Sequence, residues 1–137
     1  KIISLNTQAD NDLNWFLLRD PTDPGSMLNW MEDELKQSET KKQFVYLMGH
    51  IPPKSLNEWS LDSIISVTNS YIIRGQFYGH SHSDHIGFFR SFSDKNKLTS
   101  FYFLPPSITT YSDKNSNYRV MTVDYDTLQV LDYNQYM

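Results

Sequence analysis

The sequence predicts an α/β fold, and three observations carry that reading. Phe44-Val45-Tyr46-Leu47-Met48 is an apolar run without polar alternation, the pattern of a strand covered on both faces by helices or a second sheet. Met27, Leu28, Met31 and Leu35 recur at spacings of three and four, which gives a helix one apolar face. Leu61, Ile64, Ile65, Thr68 and Ile72 repeat that period ahead of a second short strand, Gln76-Phe77-Tyr78.

Residues 1–8 open apolar and β-branched and read as a strand. The stretch from Asp10 to Asp20 is polar except for Trp15-Phe16-Leu17-Leu18, an apolar segment whose type the pattern leaves open. Asp23 is the expected N-cap of the first helix, with Pro24 at its first position. Glu32, Asp33 and Glu34 lie mainly off the apolar face and read as a solvated surface rather than a carboxylate site. Lys41 and Lys42 suit the helix C-terminus. Pro52 and Pro53 restrict the loop that leaves the Phe44–Met48 strand. Ser60 is the expected cap of the second helix, and Gly75 its end. Residues 86–92 and 98–104 read as a hairpin about a polar turn at 93–97, closed by Pro105-Pro106. Residues 107–117 form a loop rich in hydroxyls and amides. A last hairpin spans 118–124 and 128–133 around Tyr125-Asp126. No internal repeat or low-complexity linker marks a domain boundary.

The 137 residues amount to a single domain or part of a larger one. A net charge of −4 gives no basic footprint for nucleic acid. Aromatic residues make up 15 % of the chain, which suits strands and a substrate cleft. Cysteine is absent, so neither a disulfide nor a thiolate ligand can form. No run is long enough to cross a membrane. Lys1-Ile2-Ile3-Ser4-Leu5 is too short an apolar region for a signal peptide. The chain opens on Lys1 rather than Met and is expected to begin mid-fold.

Two stretches hold three of the four histidines: Gly49-His50-Ile51-Pro52-Pro53 and Gly79-His80-Ser81-His82. Each follows an apolar strand and opens with glycine, which lets backbone turn sharply or approach a ligand. A lone histidine usually packs or caps a turn. Strand-Gly-His followed downstream by strand-Gly-His-x-His instead points to three imidazoles in one cleft, and so to metal ligation.

In this order, with a helix between, the two motifs resemble the C-terminal half of calcineurin-like metallophosphoesterases, in particular the acid sphingomyelinase-like phosphodiesterase branch. There the second motif usually reads Gly-His-Thr-His-x-Asp; here it is Gly79-His80-Ser81-His82-Ser83-Asp84. Ile3-Ser4-Leu5-Asn6, Thr22-Asp23-Pro24, Gln76-Phe77-Tyr78, Pro106-Ser107-Ile108-Thr109-Thr110-Tyr111 and Tyr118-Arg119-Val120 extend the resemblance over almost the whole chain.

The resemblance implies the C-terminal half of a four-layer α-β-β-α sandwich. Residues 1–137 would be the C-terminal part of one domain, completed by an N-terminal half of the same domain. It implies metal-dependent hydrolysis of a phosphodiester, either a phospholipid such as sphingomyelin at a lipid surface or a nucleotide phosphodiester. Two divalent metal ions would activate a hydroxide to attack phosphorus. Zn is the expected metal, with Fe or Mn compatible with the same ligands. Carried over residue by residue, His50 and His80 would ligate one ion and His82 the other. Tyr111 and Asn115 would lie on the substrate side, although a tyrosine packed on the sheet rim is the plainer reading. Asp84 would orient a ligand imidazole from behind, or else stand as an exposed strand-end carboxylate. His85, where relatives carry an acid, reads as an ordinary surface or strand histidine. Trp59 and Trp15-Phe16 either flank an apolar substrate or are buried. The compartment implied is lysosomal or secreted.

The chain departs from the resemblance in several places. It has no cysteine and no Asn-x-Ser/Thr sequon, and Asn115-Ser116-Asn117-Tyr118-Arg119 stands where relatives have Asn-Pro-Gly-Tyr-Arg. The Asp-x-His, Gly-Asp-x-x-Asp and Gly-Asn-His motifs are missing from the 137 residues. No catalytic residue is therefore assigned within them, the acid histidine is expected upstream, and the segment alone is expected to be inactive. The competing reading is a structural or interaction subunit.

Overall fold

The computed structural model describes residues 1–11, 13–56, 64, 72–91, 94, 96–111 and 113–137. Its main sheet has five strands: β1 (Ile2–Ser4), β2 (Val45–Met48), β3 (Ile73–Phe77), β4 (His85–Arg90) and β5 (Leu98–Leu104). Their spatial order is β1-β2-β3-β5-β4. The first four in that order run parallel, and β4 pairs antiparallel with β5 at the edge. Strands β6 (Tyr118–Val123) and β7 (Val130–Tyr136) form a separate antiparallel pair. The mixed α/β class is therefore as the sequence predicts.

One face of the sheet is covered by helix α1 (Met27–Thr40). Leu28, Met31 and Leu35 sit on its apolar side and pack with Ile3, Val45, Leu47 and Tyr102 in one buried cluster. Ile64, helical and 1 % exposed, joins that cluster. Residues 57–63 and 65–71 lie outside the described residues, Trp59 among them, as does Phe92; Ile72, expected on the helix from Ser60, instead lies in a turn just before β3.

Asp23 does cap α1, but from farther away than expected. Asp23, Gly25 and Ser26 all take positive φ, and this turn folds the Asp23 carboxylate back to accept from Leu28 N–H at 2.8 Å and Asn29 N–H at 3.2 Å. Pro24 consequently stays outside the helix. At the other end Lys42 takes φ 53°, and Gln43 N–H donates to the Ser38 carbonyl, closing a Schellman turn.

The opposite face is aromatic. The Tyr46 and Phe77 rings meet edge-on at 5.8 Å, and Phe77 stacks on Phe103 at 5.7 Å. The β6–β7 hairpin reaches this row where Tyr133 meets Phe103 and where Tyr46 Oη donates to the Leu128 carbonyl at 2.5 Å. Gly75, expected to end a helix, lies inside β3 opposite Tyr46. A Cβ there would come within 3.0–3.3 Å of the Phe77 and Tyr46 rings, so this glycine makes room for the aromatic row.

Strand β1 ends sooner than residues 1–8 implied. After Ser4 the chain passes into a 3-10 turn over Thr7–Asp10 that buries Thr7 and Asp10. Trp15–Leu18 is a second 3-10 turn, capped by Asn14, with Trp15 and Leu18 exposed rather than buried.

Candidate functional site

The loops that leave the C-terminal ends of the parallel strands gather at one edge of the sheet, the usual position for ligands in open α/β sheets. β1 delivers Thr7, β2 delivers Gly49-His50, β3 delivers Gly79 through Asp84, and β5 delivers the loop at 105–117. The two Gly-His turns are joined directly: Gly79 N–H donates to the His50 carbonyl at 2.9 Å, and Gly49 N–H to the Phe77 carbonyl at 3.1 Å.

The His50 turn is fixed from below. Thr7, 1 % exposed, uses one hydroxyl oxygen to accept from His50 N–H at 3.0 Å and Ile51 N–H at 2.7 Å. Ile51, Pro52 and Pro53 are buried behind it. Gly49 is sterically required, since a Cβ would lie 2.7 Å from Thr7 Cγ2 and 3.1 Å from the Tyr78 ring. Burial, with Tyr102 nearby, pushes the Tyr78 phenol far above its usual range. It therefore stays neutral and donates to Gln76 Oε1 at 3.2 Å.

His50 Nε2 faces His80 Nδ1 at 3.3 Å, with the two rings nearly perpendicular. Two imidazole nitrogens so placed can share a proton. Two nitrogens bound at 2.0–2.1 Å to one tetrahedral ion would also stand about 3.3 Å apart. The pair thus fits half of a tetrahedral donor set. Among the described residues, no group of three or more His, Asp or Glu side chains comes together closely enough to hold an ion.

His82 points elsewhere: its ring lies 6.1 Å from that of Tyr111, edge to face. Positive φ falls on His80 (75°) and His82 (53°), while neither Gly49 nor Gly79 takes it. The conformational freedom expected of the glycines is thus demanded of the histidines, where an L-residue pays about 1–2 kcal/mol for it.

Tyr111 is exposed beside His82, and Asn115 is exposed, its carbonyl accepting from Asn117 Nδ2 at 2.7 Å. Asp84 Oδ1 meets Arg119 Nη2 at 2.7 Å. That arginine side chain is 1 % exposed, lies over the Tyr133 ring and also reaches Gln135 Oε1. His85 is exposed at the start of β4, opposite Leu104. A cleft of about 290 Å³ opens between the two loop tails, with Lys54 and Ser55 on one side and Ser81, Ser83 and Asp84 on the other.

Sequence reasoning overlooked Thr7 and Lys114. Thr7 carries one usable signal, since it follows a strand just as the Gly-His motifs do. Lys114 Nζ donates to the Ser81 and His82 carbonyls and to Ser83 Oγ, partners more than thirty residues away that leave no local mark.

No family model matches the chain. It is 35 % identical to sphingomyelin phosphodiesterase B of Dictyostelium discoideum, over 99 % of this chain and 23 % of that protein. With the sphingomyelin phosphodiesterase of Bos taurus the identity is 36 %, over 90 % of this chain and 20 % of the relative. With a cyclic GMP-AMP phosphodiesterase of Homo sapiens it is 32 %, over 99 % of this chain and 33 % of the relative. The chain therefore spans a fifth to a third of the length of these relatives. Across nearly all of its own length, it is similar to proteins that are phosphodiesterases by name, two for sphingomyelin and one for cyclic GMP-AMP.

Proposed function

We propose that this chain forms the C-terminal part of a metal-dependent phosphodiesterase domain of the four-layer sandwich type. The observation that carries the proposal is the His50–His80 pair, two imidazoles 3.3 Å apart at neighbouring strand ends in a chain similar to phosphodiesterases. In this reading His50 and His80 hold one divalent cation and His82 helps hold a second, with the remaining ligands and the acid histidine supplied by the N-terminal half of the domain. Two such ions, most naturally Zn, would supply Lewis acidity that neutralises phosphate charge and eases deprotonation of water. The chain's own part is to hold His50 and His80 at that spacing and to present Tyr111 and Asn115 toward the leaving group. The substrate is a phospholipid such as sphingomyelin or a nucleotide phosphodiester, met in a lysosomal or secreted setting.

The test uses the full-length protein, assayed for metal content and for turnover of bis-nitrophenyl phosphate, sphingomyelin and cyclic GMP-AMP. His50→Ala and His80→Ala are expected to lower metal content and to remove most turnover, whereas His85→Ala leaves both in place. A full-length protein that binds no divalent ion and cleaves none of the three substrates would establish the structural-subunit reading instead.

A further inference from the structure

We propose that Lys114 is a positioning residue that holds the Gly79–His82 turn in its strained shape and fixes the direction of the His82 imidazole; the functional meaning of this rests on His82 being a metal ligand. An ammonium has three N–H donors. Lys114 has an acceptor for each of them: the Ser81 carbonyl at 3.3 Å, the His82 carbonyl at 3.0 Å and Ser83 Oγ at 2.9 Å. The turn needs outside support because both of its histidines lie in the left-handed region. Its internal bonds are short-range, such as Ser81 N–H to the Gly79 carbonyl and Ser83 Oγ to the Ser81 carbonyl. From outside, the His50 loop holds its start through Gly79 N–H and the His80 ring, and Lys114 holds its Ser81–Ser83 end.

The loop bearing Lys114 is itself braced. Lys114 N–H donates to the Thr110 carbonyl, Asn117 N–H to the Ser107 carbonyl, and Gln135 Nε2 to Asn117 Oδ1. Tyr111 stands three residues before Lys114, and its ring meets that of His82 nearly perpendicular at 6.1 Å. One loop thus grips His82 twice, at its backbone through the ammonium and at its imidazole through the phenol ring. With its three donors engaged on the turn, the ammonium acts as a brace and not as a free hook for a phosphate. The brace also couples two functions. Any shift of the loop that moves Tyr111 relative to substrate moves the carbonyl behind His82 as well.

The experiment replaces Lys114 in the full-length protein. Lys114→Met keeps the aliphatic stem and removes the charge, and Lys114→Arg keeps the charge. In metal-free protein the ring signals of His82 and Tyr111, followed by NMR, are expected to shift or broaden in Lys114→Met while that of Trp30 on α1 stays in place, and Lys114→Arg is expected to resemble the parent. Loss of these charged hydrogen bonds is expected to lower kcat about tenfold with KM changed less than about twofold. An unmoved His82 signal in Lys114→Met overturns the proposal. So does a raised KM at unchanged kcat, which would make Lys114 a substrate-binding group. If the parent cleaves no phosphodiester, the functional reading fails, yet the His82 signal still decides the role of Lys114. If Lys114→Met does not fold, Ser83→Ala removes one of the three acceptors, and a smaller shift of the same signal is expected; no shift overturns the proposal.

Discussion

The two Gly-His turns share a sequence signature and are built in opposite ways. The His50 turn is held by packing and by a buried hydroxyl: Thr7 beneath it, the Tyr78 ring against Gly49, and the Ile51-Pro52-Pro53 plug behind. The second turn is more open, would admit a Cβ at Gly79 in ordinary contact with His50, takes positive φ at both histidines and is tethered by Lys114. The first is rigid because its neighbours leave no alternative. The second is strained and depends on polar tethers. Substitutions at matched positions should therefore have unlike consequences, and the comparison can be broken at each of them.

The largest effect is expected at Thr7. Thr7→Val conserves shape and deletes the acceptor shared by His50 N–H and Ile51 N–H. Leaving two donors unsatisfied, one of them buried, should cost about 2–4 kcal/mol, read as a lower urea midpoint of the full-length protein at unchanged slope. Thr7→Ser restores the oxygen and should recover most of the loss. A neutral Thr7→Val would show that packing alone holds the His50 turn.

The glycines give the next test. Gly49→Ala places a methyl 2.7 Å from Thr7 Cγ2 and against the Tyr78 ring, both in well-packed surroundings. Overpacking of that kind costs about 1–3 kcal/mol. Gly79→Ala meets nothing nearer than the His50 carbonyl at 3.7 Å and has no positive φ to lose. It should be neutral or stabilising by up to about 1 kcal/mol, through reduced freedom of the unfolded chain. Equal losses at the two glycines would erase the distinction between the turns.

What the sequence made legible follows from the range of the interactions involved. Strand β2 reads directly because Val45 and Leu47 are buried under α1 and Tyr46 packs in the aromatic row, although Met48 at its end is exposed. That His50 and His80 meet is legible only in outline, because their motifs follow neighbouring parallel strands; His50 lies two residues past Met48 and His80 three past its register partner Phe77, and the Gly79 turn takes up the difference. Strand β3 is harder, since Gly75 and Gln76 interrupt its apolar run. The glycine is there to clear the Phe77 and Tyr46 rings, and buried Gln76 is satisfied by Ser100 Oγ and Tyr78 Oη. The Asp23 cap was visible as chemistry but misplaced in register, because three positive-φ residues carry it back over the helix start. Thr7 and Lys114 owe their roles to partners 43 and 32 residues away, which no local pattern records.

The smallest contrast between the two turns is expected at the histidines themselves. His50→Gly and His80→Gly each delete one ring of the same facing pair, so the lost ring–ring contact is common to both. They differ in backbone. His50 does not occupy the left-handed region, and glycine there adds only unfolded-state freedom, a loss of about 0.5–1 kcal/mol. His80 sits at φ 75°, where an L-residue is penalised by about 1–2 kcal/mol and glycine is not. Relief of that strain should offset the entropic loss, so metal-free His80→Gly protein should be about 1–2 kcal/mol more stable than metal-free His50→Gly protein in urea titrations. The gap should vanish in a Lys114→Met background if the tether is what forces His80 into that conformation. A gap that persists unchanged there would place the strain in the Gly79–Ser81 turn itself, whose Ser81 N–H to Gly79 carbonyl bond does not involve the lysine.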